Sequence, residues 1–131
     1  MEEKKQVFMV PLHSPSDYLF QLHVTNSGEA KRLWRKQIKE SWNHQCAYCG
    51  SEENLTIDHV IPQSKGGADF TKNVVCCCQD CNQSKGHEHW KLWYVQQDFY
   101  SEERFNKIEE WMKPDPPTNL FAYRPRRNNA T

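Results

Sequence analysis

Six cysteines and one Asp-His pair are the residues of this chain whose types and spacing can do chemistry. Cys46-Ala47-Tyr48-Cys49 and Cys78-Gln79-Asp80-Cys81 are both C-x2-C pairs, with 28 residues between them. Two such pairs supply four thiolates to one tetrahedral Zn²⁺, and a site closed in this way is structural, with no open position for catalysis. The blander alternative is two unrelated buried pairs. A thioredoxin-like redox role is set aside, because neither pair follows a βαβ pattern. Cys76 and Cys77 are adjacent, so in extended chain they point to opposite faces. Cys77 reads as a small core residue on the side of Val75, and an exchange of ligand role between Cys76 and Cys78 stays open.

Asp58-His59 lies between the two cysteine pairs. A carboxylate suits a hard cation such as Mg²⁺. A neutral imidazole, with an unperturbed pKa of ~6.5, suits a general base. Asn82 follows the last cysteine and would be held rigidly by it, so its side-chain carbonyl can serve as a second oxygen ligand. Asn73 stands where an amide can hydrogen-bond back across a loop. His13, His23, His44, His87 and His89 have no such company and read as surface or packing residues.

These groups need elements to position them. Leu55–Val60 reads as a short strand stopped by Pro62, Ser64-Lys65-Gly66-Gly67 as a loop, and Asn73–Cys77 as a second strand. A helix opens near Cys81, so the segment is a ββα unit. Upstream, Phe20, Leu22 and Val24 alternate with polar residues, which predicts a half-buried strand within residues 6–25. Trp34, Ile38 and Trp42 recur at helical spacing and predict a helix over 29–42. That helix carries Lys31, Arg32, Arg35, Lys36 and Lys39, either as a solvated face or as a contact to a nucleic-acid backbone. Downstream, Trp90, Trp93 and Tyr94 form an i, i+3, i+4 core set. Ser101 caps a helix with Glu102 and Glu103 in its first turn and Phe105, Ile108 and Met112 on one side. Four prolines in the last 18 residues predict an extended tail.

The ordered run Cys46-x2-Cys49, Ile57-Asp58-His59-Val60-Ile61-Pro62, Gly66-Gly67, Asn73, Cys78-x2-Cys81-Asn82-x2-Lys85-Gly86 resembles the HNH endonucleases, in the zinc-knuckle subgroup with Asn as the third letter. The resemblance covers residues 44–90, about a third of the chain. The stretch from Trp93 to Trp111 looks like the segment after the core in some cyanobacterial and cyanophage members. The resemblance implies an α+β fold, a small ββα-metal core with one structural zinc and flanking helices. It implies hydrolysis of DNA phosphodiester bonds, with His59 as the general base and Asp58 and Asn82 as ligands of a catalytic Mg²⁺ or Mn²⁺. Asn73 takes the middle letter, orienting His59 and fixing the loop, and Lys85 takes the position of a basic residue near phosphate. A zinc-stabilised DNA-binding or protein-interaction module without nuclease activity is the alternative.

The organisation expected is 1–43 for N-terminal strand and basic helix, 44–91 for the nuclease core, 92–113 for a helical extension and 114–131 for a Pro/Arg-containing tail. With 17 basic and 17 acidic residues among 131, net charge neither supports nor excludes a DNA substrate. No run of ~18 apolar residues exists, so no membrane partner is expected. Met1–Gln6 lacks an apolar signal core, which predicts an intracellular protein, with a phage origin left open. One Asp58-His59 pair and no heptad seam predict a monomer that nicks duplex DNA. Target site, biological role as homing, packaging or defence enzyme, and action on RNA are not written in the sequence.

Overall fold

A computed structural model describes residues 11–22 and 26–113. Helix α1 spans Pro15–Leu22 and helix α2 spans Ser27–Ser41. Strands β1 (Leu55–His59) and β2 (Val74–Cys78) form a two-stranded antiparallel sheet, with short 3-10 turns at Gln63–Lys65 and Thr71–Asn73 between them. Helix α3 (Gln79–Lys85) follows β2 at once, then α4 (Trp90–Tyr94) and α5 (Glu102–Met112). The architecture is α+β, a ββα unit of β1, β2 and α3 enclosed by the other helices.

The expected strand within residues 6–25 is corrected: residues 15–22 are helical. Ser14-Pro15-Ser16-Asp17 is a helix start, with Pro at the first position and an acid in the first turn, and the Asp17 amide donates to the Ser14 carbonyl at 3.1 Å. A short alternation of apolar residues could not outweigh that start. Residues 23–25, 1–10 and the predicted tail at 114–131 lie outside the described residues.

Helix α2 follows its periodicity. Asn26 caps it by accepting from the Glu29 amide at 2.8 Å, and Ala30, Trp34 and Ile38 line its buried face. The Trp34 indole donates to Thr71 Oγ1 at 2.9 Å, and Tyr18 of α1 donates to Gln37 at 2.6 Å, so α1 and α2 are pinned to each other and to the turn before β2. Trp90, Trp93, Tyr94 and Ile108 are buried in the same core, which bears out their reading as core. Ser101 caps α5 as expected, accepting from the Arg104 amide at 3.2 Å. Trp111 at its far end donates to the carbonyls of Thr71 and Val74 at 3.0 and 2.9 Å. The helices therefore hold the start of β2, and with it the loop that returns to the Asp58-His59 end of β1. No described helix is long and apolar enough to cross a membrane.

Candidate active site

The four thiols come together as their spacing requires. The sulfur atoms of Cys46, Cys49, Cys78 and Cys81 all lie within 4.8 Å of one another, and Cys49 and Cys78 are 3.7 Å apart. A tetrahedron with metal–sulfur bonds of ~2.3 Å has an edge of about 3.8 Å, so the set could hold one metal ion. The backbone builds each half. The Gly50 amide donates to the Cys46 carbonyl at 2.9 Å, with Gly50 at φ +84°, and the Ala47 amide donates to the Cys76 carbonyl at 2.8 Å. Cys78 caps α3, its sulfur accepting from the Cys81 amide at 3.4 Å. Hydrogen bonds from Cys77 and Cys81 hold the Cys46 thiol far below the ordinary range. Cys77 thus adjoins the set without belonging to it, on the side of Val75 as expected. Cys76 stands outside it, its thiol pushed up to about 11 by burial.

Tyr48, inside the first C-x2-C pair, ties this cluster to β1. Its ring is fully buried, and its hydroxyl donates to Asp58 Oδ2 at 2.9 Å. Asp58 is 5% exposed and faces Lys85 of α3, whose ammonium is 3.3 Å from both carboxylate oxygens and 3.2 Å from the His59 carbonyl. Burial raises the Asp58 carboxyl pKa above its usual value, against the opposing pull of Lys85 and of the Tyr48 hydrogen bond. Where the resemblance sets Lys85 near phosphate, its ammonium is fully enclosed and serves Asp58. Cys81 and Lys85 are four residues apart on the buried face of α3, so the helix that carries a thiolate inward carries the ammonium inward as well.

His59 is the last residue of β1, and its side chain is 22% exposed. Its Nε2 lies 2.6 Å from Asp69 Oδ1, which also accepts from Gln63 Nε2 at 3.3 Å. A carboxylate oxygen accepts, so Nε2 is the donor in this contact and Nδ1 has no partner among the described residues. Asn73 holds the loop that delivers Asp69. Its carbonyl accepts from the Val60 amide at 2.8 Å and its Oδ1 from the Ile61 amide at 3.0 Å, while its Nδ2 donates to the Ile61 and Ala68 carbonyls at 3.1 Å each. These bonds run to the backbone, and the ring of His59 is met by Asp69. Gly67 makes the clamp possible, since a Cβ there would stand 1.7 Å from the Ile61 oxygen and 2.8 Å from Asn73 Nδ2.

Asn82, the first residue after Cys81, donates from Nδ2 to Thr56 Oγ1 at 3.0 Å and to the Ile57 carbonyl at 3.2 Å. Its Oδ1 has no partner among the described residues and is free to bind a cation. Each Asp58 oxygen keeps lone-pair capacity beyond its present bonds. The oxygens of Asp58 and Asn82 are of the hard type that a divalent ion takes, and the Lys85 ammonium already sits beside Asp58. Two residues escaped the sequence reading. Tyr48 was hidden as a variable letter of its motif, and Asp69 lies in an aperiodic loop.

Residues 46–91 match the sequence model of the HNH endonuclease family. The chain is similar to the CRISPR-associated endonuclease Cas9 of Corynebacterium diphtheriae, at 40% identity over 76 residues, 55% of this chain and 7% of that protein. It is also similar to YoqL, an SPbeta prophage-derived protein of Bacillus subtilis whose name carries the HNH endonuclease label, at 30% identity over 91 residues, 60% of this chain and 39% of that one. Among solved structures, the Type II-C Cas9 enzyme from Actinomyces naeslundii matches 84% of this chain and 15% of its own, with a TM-score of 0.45 and 19% identity. The chain thus spans well under half the length of each of these relatives.

Proposed function

We propose that this protein is a metal-dependent HNH endonuclease that hydrolyses DNA phosphodiester bonds, with His59 as the general base. The observation that carries the reading is the His59–Asp69 contact at the end of β1, beside Asp58 and next to a helix whose Asn82 and Lys85 both bond back to the same strand. The HNH match of residues 46–91 supports it. Cys46, Cys49, Cys78 and Cys81 hold a structural Zn²⁺, whose binding free energy is part of the folding free energy. Asp58 and Asn82 would hold a catalytic Mg²⁺ or Mn²⁺. When bound, that ion stabilises negative charge on the attacked phosphate and the departing 3′ oxygen.

The residues of the chain do the rest. Asp69 accepts the Nε2 proton of His59 and fixes the ring. His59 Nδ1 takes a proton from water as the water oxygen bonds to phosphorus and the bond to the 3′ oxygen breaks. Asp69 opposite Nε2 stabilises the imidazolium so formed. Tyr48 and Lys85 keep Asp58 ionised and oriented, and the Asn73–Gly67 clamp keeps the Asp69 loop in place. One such site per chain addresses one scissile phosphate, so the chain acts as a monomer and nicks one strand at a time.

A second reading, a zinc-stabilised DNA-binding module, has one observation in its favour: Asp58 is almost fully covered and already paired with Lys85. Incubation of supercoiled plasmid with Mg²⁺, with and without EDTA, separates the two. The nuclease reading expects relaxed plasmid that EDTA abolishes. Retarded but intact supercoiled plasmid in both lanes supports the binding module and contradicts the nuclease.

A further inference from the structure

The five basic residues of α2 divide into two groups. Arg32 is 4.0 Å from Glu29 and Lys36 is 2.8 Å from Glu40, so that side of the helix neutralises itself. Lys31, Arg35 and Lys39 stand at i, i+4 and i+8, and none of their side chains has an acidic partner among the described residues. Lys31 and Arg35 are exposed and Lys39 is half-buried. At 1.5 Å per residue the three cations follow one another every ~6 Å over about 12 Å of helix. A chain with no net charge has here gathered three uncompensated positive charges in one row.

The row also leads to the site. Lys31 lines a cavity of about 340 Å³ together with Asp69, Phe70, Ser14, Ser16 and Ser27. Asp69 is the one acid on that lining, and its Oδ1 is taken by His59 and Gln63. The other end, Lys39, lies in the last turn of α2, a helix that packs against both β1 and β2. The row therefore starts at the cavity wall shared with Asp69, the residue that orients the proposed general base, and follows α2 away from it. The bonds of Trp34 to Thr71 and of Tyr18 to Gln37 fix the helix rigidly in that direction.

We propose that the Lys31–Arg35–Lys39 ridge takes the phosphate backbone of duplex DNA flanking the cleaved bond. The inference rests on the nuclease reading for the identity of the partner and on the ridge's charge for its place. Such contacts release counterions, so binding through them weakens with salt at about 0.9 logarithmic units per phosphate neutralised. Contacts of this kind carry no base readout and set register and orientation only.

The test is fluorescence anisotropy of a labelled duplex DNA oligomer between 50 and 300 mM NaCl, with no divalent ion added so that no strand is cut. The ridge variant is Lys31→Gln/Arg35→Gln/Lys39→Gln. The comparison variant, Lys107→Gln/Lys113→Gln, removes two cations from the α5 side. Four of the five positions are exposed and Lys39 is half-buried with no acidic partner among the described residues, so melting curves should stay within a few degrees of the parent. The ridge variant is expected to lose about 2–3 units of the slope of log K against log salt, and on the order of 10- to 100-fold in affinity at 150 mM. The comparison variant should lose under about 0.5 unit. A ridge variant that keeps the parent slope, an equal loss per charge in both variants, or a parent that does not bind duplex DNA overturns the proposal. Plasmid nicking is scored separately. Nicking with an unchanged slope removes the ridge alone, and a ridge-dependent slope without nicking removes the nuclease reading alone.

Discussion

Replacing Lys85 by Met should be among the most damaging single substitutions in the protein, even though Met nearly preserves volume. The Lys85 side chain is 0% exposed and that of Asp58 is 5% exposed, and the ammonium is 3.3 Å from each carboxylate oxygen. At an effective dielectric constant of ~20, that separation corresponds to about 5 kcal/mol of Coulomb attraction. Removing the ammonium also removes its own desolvation cost, and measured losses on breaking one side of a buried pair run to about 3–5 kcal/mol. The remaining carboxylate keeps only the Tyr48 hydroxyl, and the His59 carbonyl loses its donor. With a urea slope of ~1.5–2 kcal/mol/M, the unfolding midpoint should fall by roughly 2 M. Adding Asp58→Asn to Lys85→Met should recover about half of the deficit or more, because no unpaired charge is then left inside.

The pH dependence has a definite sign. A carboxyl whose folded pKa is raised binds more protons in the folded state than in the unfolded one. Its contribution is therefore lost as pH rises through the window above the unfolded value of ~3.9. Without Lys85 the folded value climbs further, so Lys85→Met should regain stability between pH 8 and pH 6. The double variant, which shares every other titrating group, should not. Urea denaturation of both variants in zinc-supplemented buffer at the two pH values measures this. A Lys85→Met loss below ~1 kcal/mol, or a double variant no more stable than the single one, would refute the reasoning.

Four further outcomes are expected. Ser at Cys46, Cys49, Cys78 or Cys81 should abolish metal binding and the cooperative melt together, whereas Cys76→Ser should keep one metal per chain by elemental analysis; metal loss at Cys76→Ser with retention at Cys78→Ser would reassign the ligand. Asp69→Ala should lower kcat on plasmid by about 10- to 100-fold with little change in melting temperature, as expected for removing the group that orients a base, and an unchanged kcat would show that the ring is held otherwise. Gly67→Ala should cost stability and activity together, because its Cβ would collide with the Ile61 carbonyl inside the Asn73 clamp; a wild-type melt would show that the loop has room. In a plasmid time course the open-circular form should accumulate before any linear form, and linear product from the start, with sedimentation as a dimer, would replace the single-site account.

Much of the thiol cluster was legible in the sequence, because C-x2-C spacing is a local constraint that survives any fold around it. The ββα order and the faces of α2 and α5 were legible for the same reason, since each rests on residues three or four apart. Helix α1 was misread because an alternation over Phe20, Leu22 and Val24 was given more weight than the Ser14-Pro15 start. The fine structure of the site was less accessible. Asp69 reaches His59 from ten positions further along the chain, over a loop whose path depends on Asn73, Gly67 and the Pro62 turn, none of which is periodic. The resemblance set Lys85 near phosphate, yet its position four residues after Cys81 turns it inward to Asp58, the one acid buried among the described residues. Tyr48 could have been suspected, since a large aromatic between two clustered cysteines has to bury its ring and find a partner for its hydroxyl.

The measurement that bears most directly on the account is the initial rate of plasmid nicking by His59→Ala relative to the parent, in Mg²⁺, with metal content and melting temperature recorded on the same preparations. His59 is partly exposed at the end of β1, and its side chain bonds only to Asp69 among the described residues, so the variant should fold and keep its metal. Its nicking rate should fall by a factor on the order of 10² to 10⁴, the usual worth of a general base. Nicking at the parent rate by folded, metal-loaded His59→Ala would contradict the central claim.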